Sequence, residues 1–474
     1  MCGIVAVYGP RDYVGTFFTL IKMLINLQHR GQEGFGISVL HKDGSFRVIR
    51  TTMTPTPYLD RYKFKLTNSL SGVDAVGGVA HTRYSTTGVY DYPVQPVLVK
   101  APKMKFSLVF NGTITNYVEI LNNVREERRS VEYTPVNRGL NDAVALSLLM
   151  SRLMAEHKYD VVEAMKDLPL HVTGAYNVIV FTNEPRLVVA KDPRGFHPLV
   201  YSYKDGELYV ASENISLEVM DLTKWFEVKP GEVLSYDGHG LEAHYMNATV
   251  ETTPCVFEYI YFSRPDTTFN DVSVYEVRFR MGRLLAEVAP VNADVVVPIP
   301  EGGRIIALGY SKKTGIEVHE GLIINRYLGR GFIVSPARRE AVTSLKYGIV
   351  GDVVNGKRVV LIDDSIVRGT TLKHLIKRLK ERGAREVHVR IASPPFKCPC
   401  FMGIDVASTR ELIYDTSGGE VAKELGADSV VYNTLDNVVK AVGLPSVCHA
   451  CFSCNYPFQV KQDWFKVFEQ RCCI

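Results

Sequence analysis

The chain has 474 residues, with 55 Lys and Arg against 51 Asp and Glu for a formal net charge of +4. This length predicts two domains, the 46% apolar content fits globular folding, and so small a net charge gives no argument for nucleic acid as a partner. No signal peptide and no apolar run of membrane-spanning length is found, which predicts a cytoplasmic protein with no membrane partner and reduced thiols.

The chain opens Met1-Cys2-Gly3-Ile4-Val5. Removal of Met1 is the normal fate when a small residue follows, and it leaves a free α-amine on Cys2. One residue then carries a thiol nucleophile and a weak base of pKa about 8, so no separate catalytic histidine is required. Alone, Cys2 is equally a small buried residue on a first strand. An apolar helical stretch follows and ends at Leu27-Gln28-His29-Arg30-Gly31-Gln32-Glu33-Gly34, a Gly-rich turn. Gly77-Gly78-Val79-Ala80-His81-Thr82-Arg83-Tyr84 reads as a strand running into a polar loop, and Phe106 to Asn111 as a strand that stops at Asn111-Gly112. Side-chain amides and adjacent backbone N–H groups stabilise an oxyanion, and arginine grips a carboxylate. These are the groups that hydrolysis of the glutamine side chain needs.

Taken together, these motifs resemble the glutaminase domain of the N-terminal-nucleophile glutamine amidotransferases, over residues 1–250. The resemblance implies a four-layer αββα sandwich with Cys2 as nucleophile and Asn111 and Gly112 as the oxyanion hole. It further implies Arg30, Gly31 and Arg83 around the bound glutamine, with Asp142 on its α-amine. Two positions depart from the family pattern: Phe110 stands where His commonly precedes Asn-Gly, and Ala143-Val144 where an acid usually follows the Asp.

The second half, residues 251–474 with a boundary near 245–255, carries Val359-Val360-Leu361-Ile362, an apolar β-branched run that suits a buried parallel strand. Leu372, Leu375, Ile376 and Leu379 then recur at helical spacing, and Gly383 closes the helix. Between them lies Asp363-Asp364-Ser365-Ile366-Val367-Arg368-Gly369-Thr370-Thr371. Loop amides at a helix N-terminus enclose a phosphate, and paired acids suit two vicinal ribose hydroxyls. Read without its neighbours, Asp-Asp-Ser is a polar loop with an N-cap.

This segment resembles the phosphoribosyl pyrophosphate (PRPP) signature of the type I phosphoribosyltransferases, a mostly parallel sheet flanked by helices. The resemblance implies Asp363 and Asp364 on the ribose and on Mg²⁺, and residues 365–371 on the 5′-phosphate. Val295 to Arg304, with Glu301, sits where the pyrophosphate loop belongs, though Gly303 lacks the hydroxyl many relatives have nearby. Asn325 to Phe332 and the basic stretch through Arg338, Arg339 and Lys346 resemble the loop that closes over PRPP.

Cysteines cluster at Cys448-His449-Ala450-Cys451-Phe452-Ser453-Cys454, with Cys255, Cys398 and Cys400 upstream. Such spacing suits zinc or an iron–sulfur cluster, and buried unliganded thiols are the plain alternative. The chain as a whole resembles the glutamine PRPP amidotransferase family. Some members carry a structural [4Fe–4S] cluster, at positions matching Cys255, Cys400, Cys448 and Cys451. Cys398 and Cys454 are then extra, and either could displace a neighbouring ligand. The family implies glutamine and PRPP as substrates, purine nucleotides as feedback inhibitors, and a homodimer or homotetramer. It also implies 5-phosphoribosylamine, glutamate and pyrophosphate as products, at the first committed step of purine synthesis. The alternative is a PRPP-sensing regulator that has lost catalysis.

Overall fold

The structure is a computed structural model and describes residues 1–70, 72–84, 95–125, 132–134, 141–325, 345–367, 369–404 and 419–469. It divides into two compact units: Met1–Pro254 with Cys400–Asp405 and Phe458–Ile474, and Cys255–Pro399 with Val406–Pro457.

The first unit holds two seven-stranded sheets. One runs, edge to edge, Phe226–Glu227, Val200–Lys204, Glu207–Ala211, Gly3–Asp12, Asp74–Thr82, Phe35–His41 and Phe46–Thr51. The other runs Leu241–Tyr245, Glu232–Tyr236, Arg186–Lys191, Gly174–Thr182, Lys105–Ile114, Val97–Lys100 and Glu132–Thr134. Side chains alternate between the faces of a strand, and this alternation builds the layers. From the first strand, Ile4, Ala6 and Tyr8 enter a core with Val109, Ile179, Phe181 and Leu234 of the other sheet. Val5 and Val7 face the opposite way, onto Phe17, Leu20 and Leu24 of the Tyr13–Asn26 helix. On the outer face of the second sheet, Phe106, Leu108 and Val178 pack against Leu146, Leu149 and Leu153 of the Asp142–Glu156 helix. The result is helix, sheet, sheet, helix. Each fully buried Leu, Ile or Phe contributes about 1.5–3 kcal/mol.

Both helices start where a polar side chain meets an orphan N–H. Asp12 Oδ1 accepts from Gly15 N at 2.7 Å, and Asn141 Oδ1 from Val144 N at 3.0 Å. One sequence expectation is corrected here. The strand does not stop at Asn111-Gly112 but continues to Ile114, with Asn111 opposite Asn177 and Gly112 opposite Tyr176. Gly112 has φ +143°, and a Cβ there would lie 1.9 Å from Ala175 O. Glycine therefore serves an irregular strand at this position, not a hairpin turn.

The second unit is built on a parallel sheet in the order Val295–Pro298, Arg358–Asp363, Glu386–Ile391, Ser429–Tyr432. Its Val and Ile rows are buried among Leu372, Leu375, Ile376 and Leu379 of the Thr370–Glu381 helix. Gly383, φ +89°, follows that helix just past its C-cap Arg382. Leu322–Ile324 and Tyr347–Ile349 pair as a two-stranded stem. The expected PRPP-closing loop between them, with Arg326, Arg330, Arg338 and Arg339, lies outside the described residues, as do Arg368, Cys472 and Cys473.

Cys398 and Cys454 form a disulfide with Cα atoms 5.4 Å apart, within the usual span for such a bond, which corrects the expectation that all thiols are reduced. The expectation that either could replace a metal ligand is corrected, because their sulfurs are bonded to each other. Among the described residues no helix is long and apolar enough to cross a membrane.

Candidate active sites

Cys2 leads directly into the Gly3–Asp12 strand and is 8% exposed. Its amide N–H donates to Asn111 Oδ1 at 2.9 Å, bringing the two sheets together at Cys2. That bond uses the oxygen of the Asn111 side chain. The nitrogen, Asn111 Nδ2, is buried and has no partner among the described residues. A buried donor left open beside a nucleophile is what an oxyanion hole requires.

The Cys2 thiol lies 3.4 Å from both the N and O of Tyr84. Burial pushes its pKa up. The chain-terminal ammonium and the Tyr84 N–H pull it down, while Asp142 and Glu33 push it up. Met1 is wholly buried in front of it.

The residues expected around glutamine fall into two groups. Arg30 is fully buried and donates to Glu213 Oε1 at 2.5 Å and, through Nε, to Cys2 O at 3.1 Å. It therefore fixes the backbone of Cys2. Gly31 lies against the strand end, where a Cβ would come within 2.5 Å of the Thr82 carbonyl carbon. Arg83 and Asp142 are 5% exposed. Arg83 Nε lies 3.6 Å from Glu33 Oε2, and Asp142 Oδ2 accepts from Ile114 N at 3.3 Å. Both charges are thus held at the same end of the sandwich as Cys2, and Asp142 is near enough to perturb the thiol.

Sequence reasoning missed the supports. Glu213 accepts from both Arg30 and His29, Thr82 Oγ1 accepts from Gly3 N at 3.1 Å, and Ser212 Oγ from Ile4 N at 3.0 Å. Two of these supports stand in the run Ala211-Ser212-Glu213-Asn214, 183 and 208 residues from the groups they hold. His81 is buried on the strand paired with Ile4, and both ring nitrogens lack partners among the described residues. Burial, Arg83 and the chain-terminal ammonium push its pKa down to about 3, so the ring is neutral.

In the second unit, Asp363 and Asp364 stand at the end of a central strand. Asp364 N donates to Asp363 Oδ1 at 2.9 Å, and Ser365 Oγ donates to Asp364 Oδ1 at 2.6 Å. Burial and then the Asp364 charge hold the Asp363 pKa well above the carboxylate range, and burial pushes Asp364 up to about 6. Such a pair resists a double negative charge, and a divalent cation relieves that resistance, so the residues fit magnesium.

The loop before Arg304 packs directly onto this pair. A Cβ on Gly302 would lie 1.7 Å from Asp364 Oδ2, and one on Gly303 would lie 2.3 Å from Ile362 O. No hydroxyl-bearing side chain fits at Gly303 for that reason. Glu301 is instead exposed, 3.3 Å from Arg304.

Gly369, φ +66°, opens the Thr370–Glu381 helix, and Thr370 and Thr371 are exposed at its first turn. Of the expected phosphate residues, Ile366 buries its side chain in the core, which leaves it only a backbone role. Ser365 and Val367 are half-buried on the loop.

Cys255, Cys400, Cys448 and Cys451 are all buried and outside the disulfide, and Cys255 and Cys448 form a parallel bridge. Four buried cysteines suit a thiolate-held cluster by donor chemistry. Among the described residues, however, no group of three or more His, Cys, Asp or Glu is placed to hold a metal.

A strand-end cysteine beside an open amide donor, with an acid pair above a helix N-terminus in the other unit, defines a glutamine amidotransferase joined to a phosphoribosyltransferase. A family model described as a glutamine amidotransferase domain matches residues 81–218, and a phosphoribosyl transferase domain model matches 273–393. The amidophosphoribosyltransferase of Pyrococcus horikoshii is 41% identical over 457 residues, covering 96% of each chain. The glutamine PRPP amidotransferase of B. subtilis, solved in complex with ADP and GMP, superposes with a TM-score of 0.84 at 33% identity over 98% of each chain. A structure described as the allosteric regulatory enzyme of purine biosynthesis gives 0.85 at 34% identity, covering 98% of this chain and 97% of that one. The chain belongs to the amidophosphoribosyltransferase family.

Proposed function

We propose that the first unit hydrolyses glutamine at Cys2 and that the second uses the ammonia to displace pyrophosphate from PRPP, giving 5-phosphoribosylamine. The observation that carries this reading is the division of labour on Asn111, whose Oδ1 is engaged by Cys2 N at 2.9 Å while Nδ2 stays open. After Met1 is removed, Oδ1 holds the α-amine of Cys2, which takes the thiol proton as sulfur attacks the glutamine amide. Asn111 Nδ2 and the Gly112 backbone then face the oxyanion. Arg83 binds the substrate α-carboxylate and Asp142 its α-ammonium. Arg30, anchored on Glu213, keeps the Cys2 backbone from following the sulfur. Ammonia leaves, and water hydrolyses the γ-glutamyl thioester.

In the second unit Asp363 and Asp364 bind the ribose, and the 365–371 loop, ending at the Thr370 and Thr371 hydroxyls, binds the 5′-phosphate. Glu301 flanks the diphosphate. Asp363 and Asp364 would hold magnesium, which when bound would supply positive charge to the leaving diphosphate. A [4Fe–4S] cluster, if carried, would be held by Cys255, Cys400, Cys448 and Cys451 and would be structural, since the reaction transfers no electrons. Iron and acid-labile sulfide in anaerobically purified protein test for it. Purine nucleotides are the proposed inhibitors, the cytoplasm the proposed compartment, and a homodimer or homotetramer the proposed assembly.

The deciding experiment measures glutamate release with and without PRPP and Mg²⁺, beside Cys2→Ala supplied with ammonia. Stimulation by PRPP, with Cys2→Ala retaining only ammonia-dependent pyrophosphate release, is the expected result. A wild type that releases neither glutamate nor pyrophosphate sinks the reading in favour of a PRPP sensor.

A further inference from the structure

The first unit includes a short segment from far along the chain, Cys400–Asp405. Two buried side chains hold its consecutive carbonyls. Thr115 Oγ1 donates to Phe401 O at 2.9 Å, and His197 Nε2 donates to Met402 O at 2.7 Å. His197 is fully buried and Thr115 is 2% exposed. The turn closes on its own sulfur, since Met402 N donates to Cys400 Sγ at 3.3 Å.

Gly403 follows at φ +124°, a conformation that favours glycine. A Cβ placed there would lie 3.3 Å from Met1 Cγ, 3.3 Å from His197 Nε2 and 3.5 Å from Gly112 Cα. The Gly403 backbone therefore borders both the proposed oxyanion glycine and the buried space that Met1 fills in front of Cys2. Loss of Met1 opens that space, with Gly403 as one wall.

We propose that Cys400–Ile404 forms a wall of the glutamine pocket and that His197 is the positioning residue that sets it, through Met402 O. This rests on the reading of Cys2 as the nucleophile. The proposed action of His197 is exerted through Met402 O. Its effect is on the width of the pocket beside Gly112, and so on glutamine capture more than on the chemical step. A hydrogen bond that fixes a pocket wall acts by geometry, and small displacements there cost one to two orders of magnitude.

The test uses full-length protein carrying His197→Ala, His197→Gln or Thr115→Val. His197→Ala is expected to raise KM for glutamine roughly ten- to hundredfold with kcat within about threefold of wild type. Ammonia-dependent pyrophosphate release should be unchanged in the same preparation. His197→Gln keeps an amide donor for Met402 O and should recover most of the lost KM. Thr115→Val, which removes the neighbouring donor at nearly constant shape, should shift KM in the same direction and covers the case in which His197→Ala does not fold. The proposal is overturned if KM is unmoved, if Ala and Gln are equally impaired, or if glutamine and ammonia activities fall in parallel. A wild type that releases no glutamate would overturn the Cys2 reading and this proposal together, whereas the other outcomes concern the wall alone.

Discussion

Asn111→Asp separates the two jobs of one side chain. The carboxylate keeps an oxygen for Cys2 N, which lies 2.9 Å from Oδ1 in the native protein, and replaces the open donor Nδ2 with an acceptor. In the resting site Nδ2 is buried and, among the described residues, unpartnered, so its desolvation is already complete before substrate arrives. Its first hydrogen bond is the one made to the oxyanion, in a site that water does not screen. Loss of one such donor costs about 2.7–4 kcal/mol, or roughly 10²–10³ in kcat. Glutamine KM should change little, because a ground-state carbonyl gains less from that donor than the tetrahedral species does. Folding should be weakened as well, because a carboxylate at this fully buried position loses its hydration, so kcat is expressed per folded enzyme. The assay is steady-state glutamate release with saturating PRPP, beside ammonia-dependent pyrophosphate release as an internal control. Asn111→Ala, which also frees the Cys2 amine, should be slower still. If Asn111→Asp retains kcat within about threefold of wild type, Nδ2 is not the oxyanion donor and the assignment fails.

Two further outcomes follow from the second unit. Asp364 is pushed up from 3.8 to about 6 by burial, so the folded protein holds its proton more tightly than the unfolded chain. Its contribution to stability is therefore greatest at low pH and is lost as pH rises from roughly 4 to 6. Asp364→Asn should melt higher than ligand-free wild type at pH 7, by a few kcal/mol at most, with the two curves converging towards pH 4. Parallel melting curves across that range would contradict the buried-acid account. The Cys398–Cys454 bond spans 56 residues of sequence, a closure worth about 4 kcal/mol in the chain-entropy treatment. Reduction should lower the melting temperature and raise the thiol count of the denatured protein by two. An unchanged thiol count would mean the bond does not form in solution.

What the sequence revealed and what it hid divide along local and distant information. The Val359–Ile362 strand, the spacing of Leu372, Leu375, Ile376 and Leu379, and the strand before Arg83 all carry their periodicity within a dozen residues, and all appear in the fold. Asn111-Gly112 misled because the pair is a hairpin signal locally, whereas its neighbour across the sheet, Gly174–Thr182, fixes it as mid-strand. Arg30 was legible as a site residue, but its partner Glu213, 183 residues away, was not. Nothing in either local sequence announces that pairing. Gly303 read as a missing hydroxyl, and only the approach of Ile362 O explains why no side chain stands there. Cys398 and Cys454 looked like spare ligands until their Cα atoms were placed 5.4 Å apart.

The Arg30–Glu213 pair also limits how this sequence can drift. Both side chains have no solvent exposure, and removing one partner of a buried ion pair costs about 3–5 kcal/mol, a loss that the His29 bond to Glu213 offsets only in part. That is a large fraction of a typical domain's stability. Neither position can change first without a poorly folded intermediate, and because Arg30 also carries the Cys2 carbonyl, a well-packed apolar replacement of both would restore the fold but leave the nucleophile's backbone unheld. Two residues distant in sequence are thus inherited as one character, tied to each other by folding and to the chain's first strand by catalysis.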